Sequence, residues 1–222
     1  RKEAERKMSK YFFNNMPYPR VTEILKLVSD EKGLEAWRKR TPKHEEISKR
    51  ATTLGSIMHW TIANSLSEVP IEMENVLPMD EWPKDTMEEI AGRMAQFKSL
   101  RLRIAPNPVL EHVIHHDTPG EYFAGTLDFR GLVNDDHTIM DFKGSKRIRP
   151  EYELQLGAYY IGSLREGYVA TRAFIIRLQR YEKELLELDQ QELAEAGEKF
   201  LDLARTWHKK ESDLNQRNQE GI

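Results

Sequence analysis

Two acidic residues and a lysine stand close together in the middle of this chain, and their spacing gives them a common location. In the run AGTLDFRGL, alternation along a strand puts Thr126, Asp128 and Arg130 on one face and Leu127 and Phe129 on the other. Asp128 is therefore expected to point away from the apolar layer. In TIMDFK the same period puts Asp141 and Lys143 on one face, with Met140 and Phe142 behind them. The NDDH turn between the runs makes them neighbours, so two carboxylates and one ammonium converge at one place on a sheet. Hard cations such as Mg2+ prefer carboxylate oxygens, and a bound ion of this kind activates water or polarises a phosphoryl oxygen. An ammonium beside it orients or deprotonates the attacking water and offsets charge on phosphorus. The chemistry that fits is phosphodiester hydrolysis. Taken alone, the acid-x-Lys triplet is equally an ordinary salt bridge on a solvent-facing strand.

Other elements must position these strands. In MPYPRVTEILKL two prolines fix an extended entry, and Thr22 is the expected N-cap of a short helix. Ser29, Asp30 and Glu31 introduce a second helix that carries Leu34, Trp37, Arg38, Lys39 and Arg40 and ends at Pro42. From about Glu45 to Leu66, the residues Ile47, Ala51, Leu54, Met58 and Ile62 recur at helical spacing, predicting a long amphipathic helix that bears Gly55 and His59. The segment SEVPIEMENVLPMDEWPKD has no period and reads as a long surface connection. A further helix is expected from about Thr86 to Arg103, with Met87, Ile90, Ala91, Met94 and Phe97 on one stripe.

The period changes at Val109. VLEHVIHH, YFAGTLDFRGLV and HTIMDFK predict three successive antiparallel strands. Pro150 and Glu151 begin a helix that places Leu154, Ala158, Ile161 and Leu164 on one face, and Gly167 stops it. TRAFIIRLQR reads as a strand, ELLEL as its possible partner, and Gln190 to about Glu211 as a closing helix. The order predicts an α/β layer arrangement, helices packed on a central sheet.

GTLD (Gly125 to Asp128), DFK (Asp141 to Lys143) and QLGAY (Gln155 to Tyr159), preceded by GSIMH (Gly55 to His59), resemble in order and element type the RecB-like branch of the PD-(D/E)XK nuclease superfamily. The resemblance runs from about Pro19 to Arg180. It implies a restriction-endonuclease-like αβββαβ core with a helical N-terminal part: 1–105 would be that helical part, contributing His59, and 106–222 the nuclease core. It also implies that His59, Asp128, Asp141 and the Phe142 carbonyl ligate Mg2+ or Mn2+ and that Lys143 assists hydrolysis. An imidazole among carboxylates is better tolerated by Mn2+ than by Mg2+. Read by itself, His59 is a helix histidine satisfied by a neighbouring carboxylate.

In the resembling family the helix of Gln155 and Tyr159 supports the catalytic lysine and the DNA strand. Their spacing of four puts an amide and a phenol on one helix face; core packing serves Tyr159 equally well. Glu111 is a weaker candidate for a supporting role behind the ligands. Lys146, Arg147 and Arg149, in a loop just after the DFK strand, are candidates for phosphate contacts. Trp37 with Arg38, Lys39 and Arg40 combines an aromatic platform with a cationic run, as single-stranded DNA requires; stapling the helix to the core is the other use for Trp37.

Composition narrows these expectations. The 222 residues include no cysteine, which excludes disulfides, thiolate zinc and a cysteine-held iron–sulfur cluster. The net charge of −3, from 34 Lys and Arg against 37 Asp and Glu, is not that of a general nucleic-acid binder, so any DNA contact must come from local fields. The opening run RKEAERKMSK lacks an apolar signal core, and no stretch is long and apolar enough to span a membrane, so an intracellular site is expected: cytoplasm, phage-infected cell or organelle matrix. The leading expectation is an exonuclease on single-stranded DNA or DNA ends in replication, recombination or repair, alongside partner proteins of those processes. A structure-specific endonuclease and a DNA-binding module acting through a partner are the alternatives.

Overall fold

A computed structural model describes residues 11–72, 76, 79 and 82–220; the opening run and part of the proline-rich connection lie outside the described residues. The described residues begin with a hairpin, β1 (Tyr11–Phe13) and β2 (Met16–Tyr18), whose two tip residues, Asn14 and Asn15, both take left-handed φ as a two-residue turn demands. A single-turn helix α1 (Val21–Ile24) follows. Its cap is Arg20, whose backbone amide is closed by the Glu23 carboxylate at 3.0 Å; Thr22, the expected cap, lies inside the helix. Asp30 caps α2 (Glu31–Arg40) as its type predicts, accepting the Gly33 amide at 2.8 Å.

Helix α3 (His44–Leu66) is amphipathic, but only its C-terminal half is used: Ile57, Met58, Ile62 and Ala63 are buried, whereas Ile47 and Ala51 are exposed. Helix α4 (Lys84–Lys98) ends at Ser99, short of the expected Arg103, and Arg101 turns the chain with a positive φ. The connection between α3 and α4 is not wholly superficial, because Trp82 is buried edge-on against Trp60.

The strands β3 (Val109–His116), β4 (Phe123–Val133) and β5 (Asp136–Lys143) form an antiparallel meander, and Asn134 and Asp135 supply the positive-φ pair between the last two. Helix α5 (Glu151–Arg165) then crosses over to β6 (Arg172–Leu178), which runs parallel to β5, and β7 (Lys183–Asp189) closes the edge. The last element of the described residues is α6 (Gln190–Glu220), longer than its periodicity suggests. The result is an α/β fold with a mixed five-stranded sheet ordered β3-β4-β5-β6-β7.

One core lies between the sheet and α5 and α6, built on Leu156, Tyr159, Phe200, Phe123, Leu127, Ile139 and Ile175. The other lies between the sheet and α3 and α4, built on Met58, Ile62, Ile90, Phe97, Phe129, Met140, Phe142 and Ile176. Fully buried side chains of this kind contribute roughly 1.5–3 kcal/mol each. The N-terminal helices thus share a core with the strands. Among the described residues no helix is long and apolar enough to cross a membrane.

Leu127 and Phe129, expected on one face, belong to opposite cores. Alternation breaks at Asp128: β3 and β4 pair at Leu110↔Phe129 and His112↔Leu127, while Glu111, opposite Asp128, takes φ 48°. A glutamate in that region carries strain of order 1–3 kcal/mol, which must be held by its surroundings.

Helices α5 and α6 come into close backbone contact at Gly157, where a Cβ would stand 2.4 Å from the backbone of Ala196 and Gly197. Backbone cannot yield as a side-chain tip can. Gly157→Ala is expected to lower stability by about 3 kcal/mol, the upper end of overpacking effects, read as a shift in the chemical denaturation midpoint; an unchanged midpoint would show that the two helices separate freely.

Candidate metal centre

His59 projects from the buried half of α3 toward the point where β4 departs from regular pairing. Its Nδ1 lies 3.1 Å from Asp128 Oδ1 and 3.8 Å from Glu111 Oε1. The three side chains each offer one donor atom within 4.8 Å of the others, a grouping able to hold a metal ion. Asp128 was expected to face away from apolar surroundings, yet it is 6% exposed. It stays ionised because both oxygens are engaged: one meets His59, and Oδ2 accepts the Phe142 amide at 2.7 Å. The last bridged pair between β4 and β5 is Phe129↔Met140, so this side chain takes over where the ladder ends.

Asp141 and Lys143 share a face as their spacing predicts, with Met140 and Phe142 in the core behind them. Lys143 Nζ sits 2.6 Å from Asp141 Oδ2, donates to Gln155 Oε1 at 2.9 Å and lies 4.8 Å from the centre of the Tyr152 ring. Gln155 in turn donates to the Tyr159 hydroxyl at 2.6 Å. Both are buried, so Gln155 is an internal relay and not a surface amide. Asp141 Oδ2, although beside the ammonium, is a buried oxygen without an aligned hydrogen bond. Asp141 stands outside the His59, Glu111 and Asp128 group.

Burial works against every charge here, and the neighbours decide the outcome. Desolvation disfavours the His59 cation, but the Asp128 charge and hydrogen bond, reinforced by Glu111, hold its pKa well above 6.5. Asp128 is desolvated too, yet His59, Lys143 and the Phe142 amide keep it below the usual carboxylate value. Asp141 is pushed up to about 6, by burial first and then by the Asp128 charge, against the pull of Lys143. Lys143 is desolvated as well, but Asp141 and Asp128 raise its pKa, so it is a cation at neutral pH. Burial and the two aspartates put Tyr159 well above 10, leaving it a neutral phenol.

Glu111, expected in a supporting role behind the ligands, offers a carboxylate oxygen within the His59 and Asp128 group. Tyr152 was missed. Its signal was available, since positions 152, 155 and 159 follow one helix face. The loop residues Lys146, Arg147 and Arg149 are exposed just beyond the end of β5. Trp37, Arg38, Lys39 and Arg40 lie on α2, which buries none of its residues; Trp37 packs edge-on to His44, 6.1 Å between centroids, and does not staple the helix to either core.

The raised His59 pKa fixes the sign of its linkage. Its stabilisation is fully present below the unfolded value of 6.5 and is lost as pH rises through the folded value. In the metal-free protein, NMR titration of the His59 ring should therefore show it protonated at pH 7. In Asp128→Asn the pKa should fall toward or below 6.5, because burial then acts with less opposition; an unmoved titration would remove Asp128 as the cause.

No protein-family model matches the chain, and no curated protein matches it. Among solved structures, one described as "Crystal structure of SSO0001" is similar over 51% of this chain and 60% of that chain, at 15% sequence identity and a TM-score of 0.30. The match thus spans less than two thirds of that chain's length, and overlap at this TM-score is too loose to define a common fold.

Proposed function

We propose that this chain is a metal-dependent deoxyribonuclease of the PD-(D/E)XK type, acting as an exonuclease on single-stranded DNA or DNA ends. The reading rests on one observation: His59, Glu111 and Asp128 converge beside the Asp141 and Lys143 pair. The order α4, β3, β4, β5, α5, β6 follows the αβββαβ order of a restriction-endonuclease-like core, which supports it.

The donor set suits a hard or borderline divalent cation: one imidazole nitrogen and carboxylate oxygens, with a further carboxylate oxygen at Asp141 that lacks a hydrogen bond. His59, Asp128 and Glu111 would hold Mg2+ or Mn2+, with Asp141 and the Phe142 carbonyl as additional oxygens. When bound, such an ion supplies Lewis acidity toward phosphoryl oxygen and acidifies water.

The remaining work falls to the chain. Lys143, a cation at neutral pH, offsets phosphate charge and orients water instead of acting as the base. Gln155 fixes the ammonium from one side and the Tyr152 ring from another, and neutral Tyr159 satisfies the Gln155 amide. Asp141 must be ionised to hold both Lys143 and a metal ion, and its pKa, pushed up to about 6 in the metal-free protein, means that protons oppose metal uptake at this carboxylate in acid.

End-labelled single- and double-stranded DNA incubated with Mg2+ or Mn2+ should be shortened, with no cleavage in chelator. Asp141→Ala and Lys143→Ala should each lose at least about 100-fold in rate, the scale of removing one preorganised electrostatic group, while their folding transitions persist. Turnover at the original rate in either variant would take that residue out of the site. Efficient cutting of closed circular single strands would replace exonuclease with endonuclease. DNA binding without metal-dependent hydrolysis would leave a binding module.

In calorimetry, Mn2+ affinity should rise with pH, because His59 must shed its proton to offer Nδ1. His59→Ala should weaken Mn2+ binding about 10-fold or more; pH-independent binding would place the ion elsewhere.

A further inference from the structure

The β6–β7 turn carries the most exposed large aromatic among the described residues, Tyr181, at 79% exposure. Its position is not casual. Strand β6 runs parallel to β5 with Lys143 opposite Arg177, so the turn after β6 emerges at the same end of the sheet as the chain that follows Lys143. Two hydrogen bonds join them: the Gln179 side-chain amide donates to the carbonyls of Gly144 at 2.7 Å and Ser145 at 3.0 Å.

The tip is also braced by several contacts. The Gln179 amide donates to the Glu182 carbonyl at 2.9 Å, leaving Arg180 and Tyr181 as the two tip residues. Arg180 pairs with Glu88 of α4 at 2.9 Å while its guanidinium lies 5.1 Å from the centre of the Tyr181 ring. The Arg180 backbone is seated on Gly92 of α4, where a Cβ would come within 2.7 Å of its carbonyl oxygen. A phenol ring is thus held out to solvent on a turn fixed from two sides, at no benefit to either core.

Charge identifies the occupant. The loop after Lys143 exposes Lys146 and Arg147, and among the described residues neither pairs with a carboxylate. A flat aromatic face on a turn hydrogen-bonded to a loop that carries unpaired cations is a combination suited to a single nucleic-acid strand, with bases stacking on the ring while cations meet phosphates.

We propose that Tyr181 is a stacking platform for an unpaired nucleobase of a DNA strand whose adjacent phosphates are met by Lys146 and Arg147. This rests on the nuclease reading and narrows it to a strand whose bases are unpaired beside Lys143. A duplex keeps its base faces covered and gains nothing from the ring.

The test uses the full chain in chelator, so that no strand is cut, with fluorescently labelled oligothymidylate and a labelled hairpin-free duplex followed by anisotropy. Tyr181→Ala should weaken oligothymidylate binding about 10-fold, the lower range for stacking one base on an aromatic residue, and leave duplex binding within twofold. Tyr181→Phe, which keeps the ring face, should bind like the parent. Lys146→Ala with Arg147→Ala should weaken both ligands and flatten the salt dependence. Because Tyr181 is largely outside the core, its variants should melt like the parent, and their melting is measured alongside. Oligothymidylate binding unchanged in Tyr181→Ala, or a loss that Tyr181→Phe does not restore, would overturn the platform while leaving the nuclease reading intact. A parent protein that binds neither DNA would overturn both.

Discussion

The Asp128 carboxylate joins three parts of the molecule. One oxygen faces His59 on α3, the other takes the Phe142 amide of β5, and Glu111 of β3 stands across from it with strained backbone. Regular pairing on both sides of Asp128 stops to allow this. The same interruption lets Leu127 enter one core and Phe129 the other, so the covering of both sheet faces depends on a polar side chain in the middle of a strand. Local rules of strand geometry give way where the donors collect, as they do at sites under functional constraint.

Burying this much charge is stable only as a set. His59 and Lys143 are cations in the metal-free protein, and Asp128 is the anion that both favour. Asp141 is the member left short, its pKa near 6 because Lys143 does not fully offset burial and the second aspartate. A buried pair broken on one side leaves an uncompensated charge, which is why each member is expected to matter more for its neighbours than for the strength of its own contact. The proton on His59 answers the negative charge of Asp128 and Glu111.

Helix α5 connects packing to this chemistry. Its close seat on α6 at Gly157 brings Tyr152, Gln155 and Tyr159 down onto the sheet, and these three residues define where the Lys143 ammonium rests. On the other side, α4 reaches past the core to brace the β6–β7 turn through Glu88 and Gly92. The rim at the Lys143 end of the sheet is therefore supported by both helical layers.

Much of this arrangement follows from local pattern. Two-residue alternation gave the Asp141 and Lys143 face, the Asn134 and Asp135 turn made their strand a neighbour of β4, and spacing of four aligned Gln155 with Tyr159. Such features depend on residues a few positions apart, so the sequence determines them by itself. What it could not supply was the meeting of His59 with Glu111, 52 positions away, or the break in alternation at Asp128, because both arise only when three separate elements compete for the same space. The exposure of Ile47 and Trp37's distance from either core belong with these: a stripe of apolar residues records which face a helix can bury, and only the packed structure decides how much of its length finds something to bury against.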